Sequence, residues 1–271
     1  AARALEQLQG AFAVVMMRPD AVIAARDPLG FKPLVMGRSG SGYVFASETC
    51  ALRQVGADFL REVEPGEMVT ANAGGLASRR FGGTGQSFAQ CIFEMIYFAR
   101  PDSLVFGYNV HGVRVVHGMR LAEEHPVPAD VVVPIPDSGM SAAIGYARAS
   151  GVPLDMGFIR NHYVGRSFIQ PQNPARRTTV DFKLAIVKET VAGRRVVVVD
   201  DSIVRGNTIR GRVELLRRYG ATEVHVRVAS PPIRHPCRFG VDFAASEELL
   251  AAERELETLR EWIGADSLGY L

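Results

Sequence analysis

Residues Val196–Thr208 read VVVVDDSIVRGNT, and the fold turns on this stretch. Four consecutive valines lack the two-residue alternation of a half-buried strand, so they fit a parallel strand covered on both faces. Two adjacent aspartates end the run, and a short polar loop then leads to a helix-like segment at Thr208. An acidic stop of this kind is compatible with a plain structural turn. It also has a chemical reading. Successive backbone N–H groups in such a loop, backed by the positive end of a helix, form an anion cradle. Ser202, Asn207 and Thr208 add donors, and Gly206 permits a backbone conformation that a Cβ would hinder. Carboxylates suit sugar hydroxyls or a hard divalent cation. Together the residues fit a ribose 5-phosphate, with Asp200 and Asp201 on the ring hydroxyls and metal, and the loop on the phosphate.

The surroundings extend the same pattern. A helix-like 110–124 leads to the strand ADVVVPIP (129–136) and a helix at 141–149. A short strand VPLDMGFI (152–159) precedes a polar segment from Arg160 to about Thr179, followed by a helix-like VDFKLAIV (180–187). RRVVVVDD, a helix at 208–219 and the strand EVHVRVAS (223–230) complete an alternating order. Strands alternating with helices imply a parallel sheet, whose ligands bind at the carboxyl ends of the strands. The charged 247–262 reads as a packing or capping helix rather than a site. The first 80 or so residues are different and β-rich, with turns at Arg18-Pro19-Asp20 and Asn72-Ala73-Gly74-Gly75. RRFGGTGQ (79–86) is the most linker-like passage, placing domains at 1–84 and 85–271.

Composition excludes several classes. The chain has 271 residues, 47% hydrophobic and 22% charged, which is globular rather than disordered. A net charge of +2 gives no reason to expect nucleic acid or an acidic membrane surface. No apolar run approaches the roughly 18 residues of a membrane span, and AARALEQLQG lacks a signal-peptide pattern. Three cysteines, Cys50, Cys91 and Cys237, form no CxxC pair, which points to a reducing cytoplasm.

VVVVDDSIVRGNT resembles the phosphoribosyl-pyrophosphate motif of type I phosphoribosyltransferases, in the form found in the amidophosphoribosyltransferase family, the glutamine-using first enzymes of de novo purine synthesis. FEMIYFARPDS (93–103), VPIPDSGMSAAIGYA (133–147), NHYVGRSFIQP (161–171) and SPPIRHPC (230–237) resemble that family in order. DPLGFKPL (27–34), ASETCAL (46–52) and VEPGEM (63–68) resemble the later part of its N-terminal-nucleophile glutaminase domain. The resemblance implies an α/β fold: a type I phosphoribosyltransferase domain, incomplete at its C-terminus, preceded by the β-rich part of a glutaminase domain.

It also implies roles. Asp137, Ser138, Gly139 and Met140 match the pyrophosphate loop, and Ser202, Ile203, Val204, Arg205, Gly206, Asn207 and Thr208 the ribose-phosphate loop. Ser138, Asp200 and Asp201 match magnesium-contacting positions. Residues 160–183 resemble a loop that closes over substrate, with Tyr163 and Arg166 as contacts alongside the catalytic Asp200 and Asp201. The implied reaction forms 5-phosphoribosylamine and pyrophosphate from phosphoribosyl pyrophosphate and glutamine-derived ammonia. Purine nucleotides are the implied feedback inhibitors, and a homodimer or tetramer the implied assembly.

Departures from the family pattern shape the expectation for this chain. The family's nucleophilic cysteine stands at the mature N-terminus, whereas residue 1 here is Ala and no cysteine precedes Cys50. Cys50 reads as a packed core residue; Asp27, Gly30 and Glu48 match family positions but cannot supply glutaminase chemistry alone. The chain is therefore expected to use only free ammonia, and to be either a fragment of a longer protein or a naturally shortened homologue. Cys91 and Cys237 match two of the four cysteines that hold a [4Fe-4S] cluster in some members, an incomplete set here. In the lid, His162 reads as a surface residue, and Asp181 stands two positions ahead of Lys183 where the family commonly has a basic residue. His111, His117, His125 and His225 lack metal-ligand spacing and read as structural; His235, two residues before Cys237, is weak support for a metal. Two alternatives stay open: transfer of the phosphoribosyl group to a nucleobase, and a regulatory protein that binds phosphoribosyl pyrophosphate or purine nucleotides without turnover.

Overall fold

The computed structural model describes residues 2–81, 88–161, 184–241, 245–252 and 254–271, in two compact units. One comprises residues 1–113 with 237–241, the other 114–236 with 242–271. The sequence-based boundary at 84 falls within 82–87, outside the described residues.

The first unit is built from antiparallel sheets. β1 (Ala13–Arg18), β2 (Ala21–Arg26), β6 (Glu67–Asn72) and β7 (Gly75–Arg80) form one sheet in the order β1-β2-β6-β7. Pro19-Asp20 and Ala73-Gly74 make its two hairpin turns, closed by the pairs Arg18↔Ala21 and Asn72↔Gly75. β3 (Val35–Ser39), β4 (Gly42–Ala46) and β5 (Asp58–Glu62) form a second sheet, with β3 central. Cys50 is buried in the short helix Thr49–Gln54.

The second unit has the parallel sheet expected of a valine-rich strand. β10 (Val131–Pro134), β13 (Arg195–Asp200), β14 (Glu223–Val228) and β15 (Ser267–Tyr270) lie side by side, all parallel. Val196–Val199 are fully buried. Val196 and Val198 belong to one apolar cluster with Leu216 and Ile263, whereas Val197 and Val199 join another with Leu121 and Tyr146. Both faces are therefore covered, which is why the run is continuous rather than alternating.

The helix Val110–Glu124 crosses the helix Met140–Ser150 through a pair of glycines. A Cβ on Gly118 would meet the backbone of Ala142, 2.9 Å from its Cα, and one on Gly145 would sit 2.9 Å from the Met119 amide nitrogen. Only hydrogen at both positions lets the two backbones approach this closely.

Three segments differ from the sequence expectation. Within VDFKLAIV, Leu184–Ile186 is a strand, not a helix, pairing antiparallel with Phe158–Arg160. The spacing of Val180, Leu184 and Val187 imitates a helical stripe, but a partner strand far away in sequence takes the hydrogen bonds. VPLDMGFI is no full strand of the main sheet: Leu154 makes one parallel bridge to Val132, and Phe158–Ile159 turn away to that antiparallel pair. The segment 247–262 is not one helix. A 3-10 turn at Ser246–Glu248 is followed by buried Leu249, Leu250 and Ala251 and then a helix at Leu256–Ile263. The fourth strand, Ser267–Tyr270, carries no alternation that reveals it.

The glycine crossing makes a stability prediction. Gly145→Ala should lower the urea-unfolding free energy by about 1–3 kcal/mol, since the surrounding backbone cannot give way. Gly211→Ala, in the helix Asn207–Arg218 with open space at its Cβ position, should raise it by up to ~1 kcal/mol. Equal effects at the two positions would refute the close-approach account.

Candidate active site

The site collects at the carboxyl ends of β10 and β13. Asp200 is the last residue of β13, and Asp201 follows it at the start of the loop. Both are buried, 8% and 6% exposed. The Asp201 amide donates to Asp200 Oδ1 at 2.9 Å, and the Ser202 hydroxyl donates to Asp201 Oδ1 at 2.6 Å. Asp201 Oδ2 is buried without a hydrogen-bond partner.

Burial drives the electrostatics. It pushes the Asp200 carboxyl well above the usual aspartate range, the neighbouring Asp201 charge adds to the rise, and Arg212 opposes it. Burial raises Asp201 too, while the Ser138 and Ser202 hydroxyls and the charge of Arg114 pull it back. Arg114 and Arg212 are themselves buried. Sequence reading missed both, yet a signal existed. Arg212 falls in the buried stripe Ile209, Arg212, Val213, Leu216 of its helix, where an apolar residue belongs.

The loop after the aspartates is anchored rather than loose. Ile203 is buried in the core below, so its part in a site is through the backbone. Gly206 adopts φ +76, and a Cβ there would also strike Leu250 and lie 2.7 Å from the Trp262 ring. The Val204 carbonyl accepts from the Leu250 amide at 2.8 Å. Asn207 and Thr208 lie exposed at the first turn of the helix Asn207–Arg218, where amides point outward. Arg205 pairs with Glu248, its Nε donating to Glu248 Oε2 at 3.0 Å.

The Ile135–Met140 turn packs on the same strand. Ile135 donates its amide to the Val199 carbonyl at 2.9 Å, continuing the β10–β13 ladder. The Pro136–Asp137 peptide is cis. A Cβ on Gly139 would collide with the Val199 carbonyl and sit 3.0 Å from the Ile135 oxygen, so glycine is required for the turn to lie against β13. The turn carries Ser138, whose hydroxyl lowers the Asp201 carboxyl against the rise that burial imposes. Asp137 instead faces outward and pairs with Arg160 at 2.7 Å. Met140 opens the following helix and is half-buried.

Other expected residues lie elsewhere. Tyr163, Arg166, His162, Asp181 and Lys183 fall outside the described residues. Cys91 and Cys237 both belong to the first unit, away from the aspartates in sequence and unit alike. The Cys91 amide donates to the Phe31 carbonyl at 3.1 Å, and Phe239, two residues past Cys237, stacks on the Phe31 ring at 4.4 Å between centroids. Among the described residues, no group of three or more His, Cys, Asp or Glu side chains is placed to hold a metal. His125 and His225 serve the sheet, His125 Nε2 donating to the Tyr270 carbonyl at 2.7 Å and His225 bridging Glu223 and Ser267.

Comparison with known proteins follows the same division. Residues 1–54 match the glutamine amidotransferase domain family, and 119–235 the phosphoribosyl transferase domain family. The chain is 52% identical over 267 residues to amidophosphoribosyltransferase of Bacillus subtilis, covering 98% of this chain and 56% of that protein. It is 50% identical to the Archaeoglobus fulgidus enzyme of the same name, covering 98% and 58%. The solved structure of glutamine phosphoribosylpyrophosphate amidotransferase from B. subtilis, complexed with ADP and GMP, superposes with a TM-score of 0.93 at 51% identity, covering 100% of this chain and 59% of that one. The chain spans about half the length of the curated relatives it matches.

The buried carboxyl pair has a measurable consequence. A raised folded-state value means that the folded chain binds more protons than the unfolded chain between the ordinary 3.8 and the raised value. Stability contributed by Asp200 is therefore present at low pH and lost as pH rises through that window. At pH 8 in EDTA, Asp200→Asn should raise the urea-unfolding free energy by about 1–3 kcal/mol, the cost of a poorly satisfied buried charge. A lowered value would mean that the carboxylate is already well paired.

Proposed function

The second unit is a type I phosphoribosyltransferase domain, the chain as a whole is homologous to about half of an amidophosphoribosyltransferase, and from that premise we propose that it catalyses phosphoribosylamine formation. Phosphoribosyl pyrophosphate is the substrate and ammonia the nitrogen donor. That ammonia is derived from glutamine, and free ammonia serves in its place at the phosphoribosyltransferase unit. The observation that carries the reading is the pair of buried carboxylates at the end of β13, with an unpartnered Asp201 oxygen beside an amide-rich loop.

The reaction follows from the placement. The ammonia lone pair attacks the anomeric carbon, the bond from that carbon to the pyrophosphate oxygen breaks, and the product ammonium loses a proton to solvent. Asp200 and Asp201 accept hydrogen bonds from the ribose hydroxyls and set the ring. The amides and hydroxyls of Ser202–Thr208 hold the 5-phosphate at the start of their helix. The Pro136–Met140 turn receives the departing pyrophosphate. Positioning and fixed dipoles supply the rate enhancement, since ammonia is already a competent nucleophile.

Magnesium suits the donor set. Hard cations of this size are held by one or two carboxylates together with substrate phosphates, and Asp200, Asp201 and the Ser138 hydroxyl are the groups that would hold it. Bound there, it would neutralise charge on the pyrophosphate. Cys91 and Cys237 do not by themselves fit a four-cysteine cluster, and no step uses one. Purine nucleotides are the proposed inhibitors, in keeping with the relative solved with ADP and GMP. The protein is proposed to be cytoplasmic and homo-oligomeric; among the described residues no helix is long and apolar enough to cross a membrane.

The test is pyrophosphate release from phosphoribosyl pyrophosphate with magnesium and an ammonium salt near pH 8. Release should depend on ammonia and fall by about 10²–10³-fold in Asp200→Ala and Asp201→Ala, comparable to losing an oxyanion-stabilising group. Substrate binding without any release would refute the enzyme reading and leave a binding protein.

A further inference from the structure

We propose that Arg160 is a positioning residue for the Pro136–Met140 turn: it pairs with Asp137 and so draws out of the turn a carboxylate that would compete with an incoming pyrophosphate. The inference rests on reading that turn as the pyrophosphate site.

An anion-receiving turn has no evident use for an acid. Yet Asp137 stands one residue ahead of Ser138 and two ahead of Gly139, at the approach to the helix Met140–Ser150. A helix start attracts negative charge, whether from a ligand or from a nearby side chain. An Asp137 carboxylate left to itself is therefore drawn toward the same positive end that a pyrophosphate needs. Its side chain is instead turned outward, 74% exposed, with Oδ2 accepting from Arg160 Nη1 at 2.7 Å.

Arg160 is held where it can do this. It ends the strand Phe158–Arg160, which pairs with Leu184–Ile186. Phe158 and Leu184 are buried in the apolar cluster that contains Val131 and Val133 of β10. The chain leading into that strand lies directly on β10. The Asp155 amide donates to the Val132 carbonyl at 3.0 Å, and a Cβ on Gly157 would sit 2.6 Å from a Val133 methyl carbon. The turn itself continues from the end of β10, where the Ile135 amide still bonds to β13. Both partners are thus referred to one strand, so backbone supports rather than the ion pair alone set their separation.

Arg160 acts through Asp137, and electrostatics ranks the four states of the pair. Arg160→Gln leaves an unpaired carboxylate at the turn, Asp137→Asn leaves an unpaired guanidinium, and the double substitution leaves neither. Affinity for a pyrophosphate group should therefore fall, rise and stay near wild type, respectively. A guanidinium that simply gripped the ligand would instead lose affinity in both Arg160 variants alike. An exposed ion pair sets the scale at roughly two- to fivefold in affinity, and the effect should shrink at high ionic strength.

The experiment titrates the full chain calorimetrically with phosphoribosyl pyrophosphate and magnesium, and separately with ribose 5-phosphate, which lacks the pyrophosphate. Arg160→Gln should weaken phosphoribosyl pyrophosphate binding roughly two- to fivefold, Asp137→Asn should tighten it, and Arg160→Gln/Asp137→Asn should return it to the wild-type value. Ribose 5-phosphate should bind all four proteins equally. Failure of Asp137→Asn to restore affinity in the Arg160→Gln background, or an equal loss for ribose 5-phosphate, would overturn this inference while leaving the proposed function standing. Absence of phosphoribosyl pyrophosphate binding by the folded wild type would overturn both.

Discussion

The second unit depends on one costly arrangement: two adjacent carboxylates buried at the end of a strand whose four preceding side chains are all valine. Desolvation opposes the charge on both aspartates. The structure tolerates this because two buried arginines, Arg114 and Arg212, reach the same region from the helices Val110–Glu124 and Asn207–Arg218. The compensation is partial, and one Asp201 oxygen keeps no partner. Sites that bind hydroxyls or cations leave such groups unsatisfied in the free protein, and the rest of the fold carries the cost.

The close approaches around that strand show how geometry is enforced. Gly139 allows the Pro136–Met140 turn to lie on the Val199 carbonyl, which brings Ser138 toward Asp201. Gly206 turns the second loop into its helix with φ +76, and its missing side chain is replaced by Leu250 and Trp262. Both loops are thereby referred to β13. The proposed substrate would span two anion sites at a fixed separation, and two loops packed on one strand would provide it. The first unit follows ordinary antiparallel rules. Its hairpins close at the turns that Pro19-Asp20 and Ala73-Gly74 dictate, and its buried Arg26 is satisfied by backbone carbonyls of Gly30, Lys32 and Val63.

Much was legible in the sequence because it was local. The valine run, the Asp-Asp stop and the glycines of the two loops each announce a backbone state through their own chemistry. The helix Val110–Glu124 and the helix after Gly206 were legible as helix-like runs for the same reason. Leu184–Ile186 was not, because its identity as a strand depends on Phe158–Arg160, and apolar residues spaced four and three apart suit either state. The segment after Ser246 misled for a related reason: its charges look solvated, while Leu249–Ala251 between them are drawn into the core.

What the sequence by itself determined was the sheet class, the place in the chain of three of its strands and the two loops that follow Pro134 and Asp200, since each follows from residue type at neighbouring positions. What only the tertiary structure decided was the company those loops keep. Arg114, Arg212, Glu248, Leu250 and Trp262 bear on the site from distant places in the chain, and the fourth strand, Ser267–Tyr270, joins the sheet beside β14. No local pattern encodes these approaches, because burial and pairing between distant segments are settled only when the whole core closes.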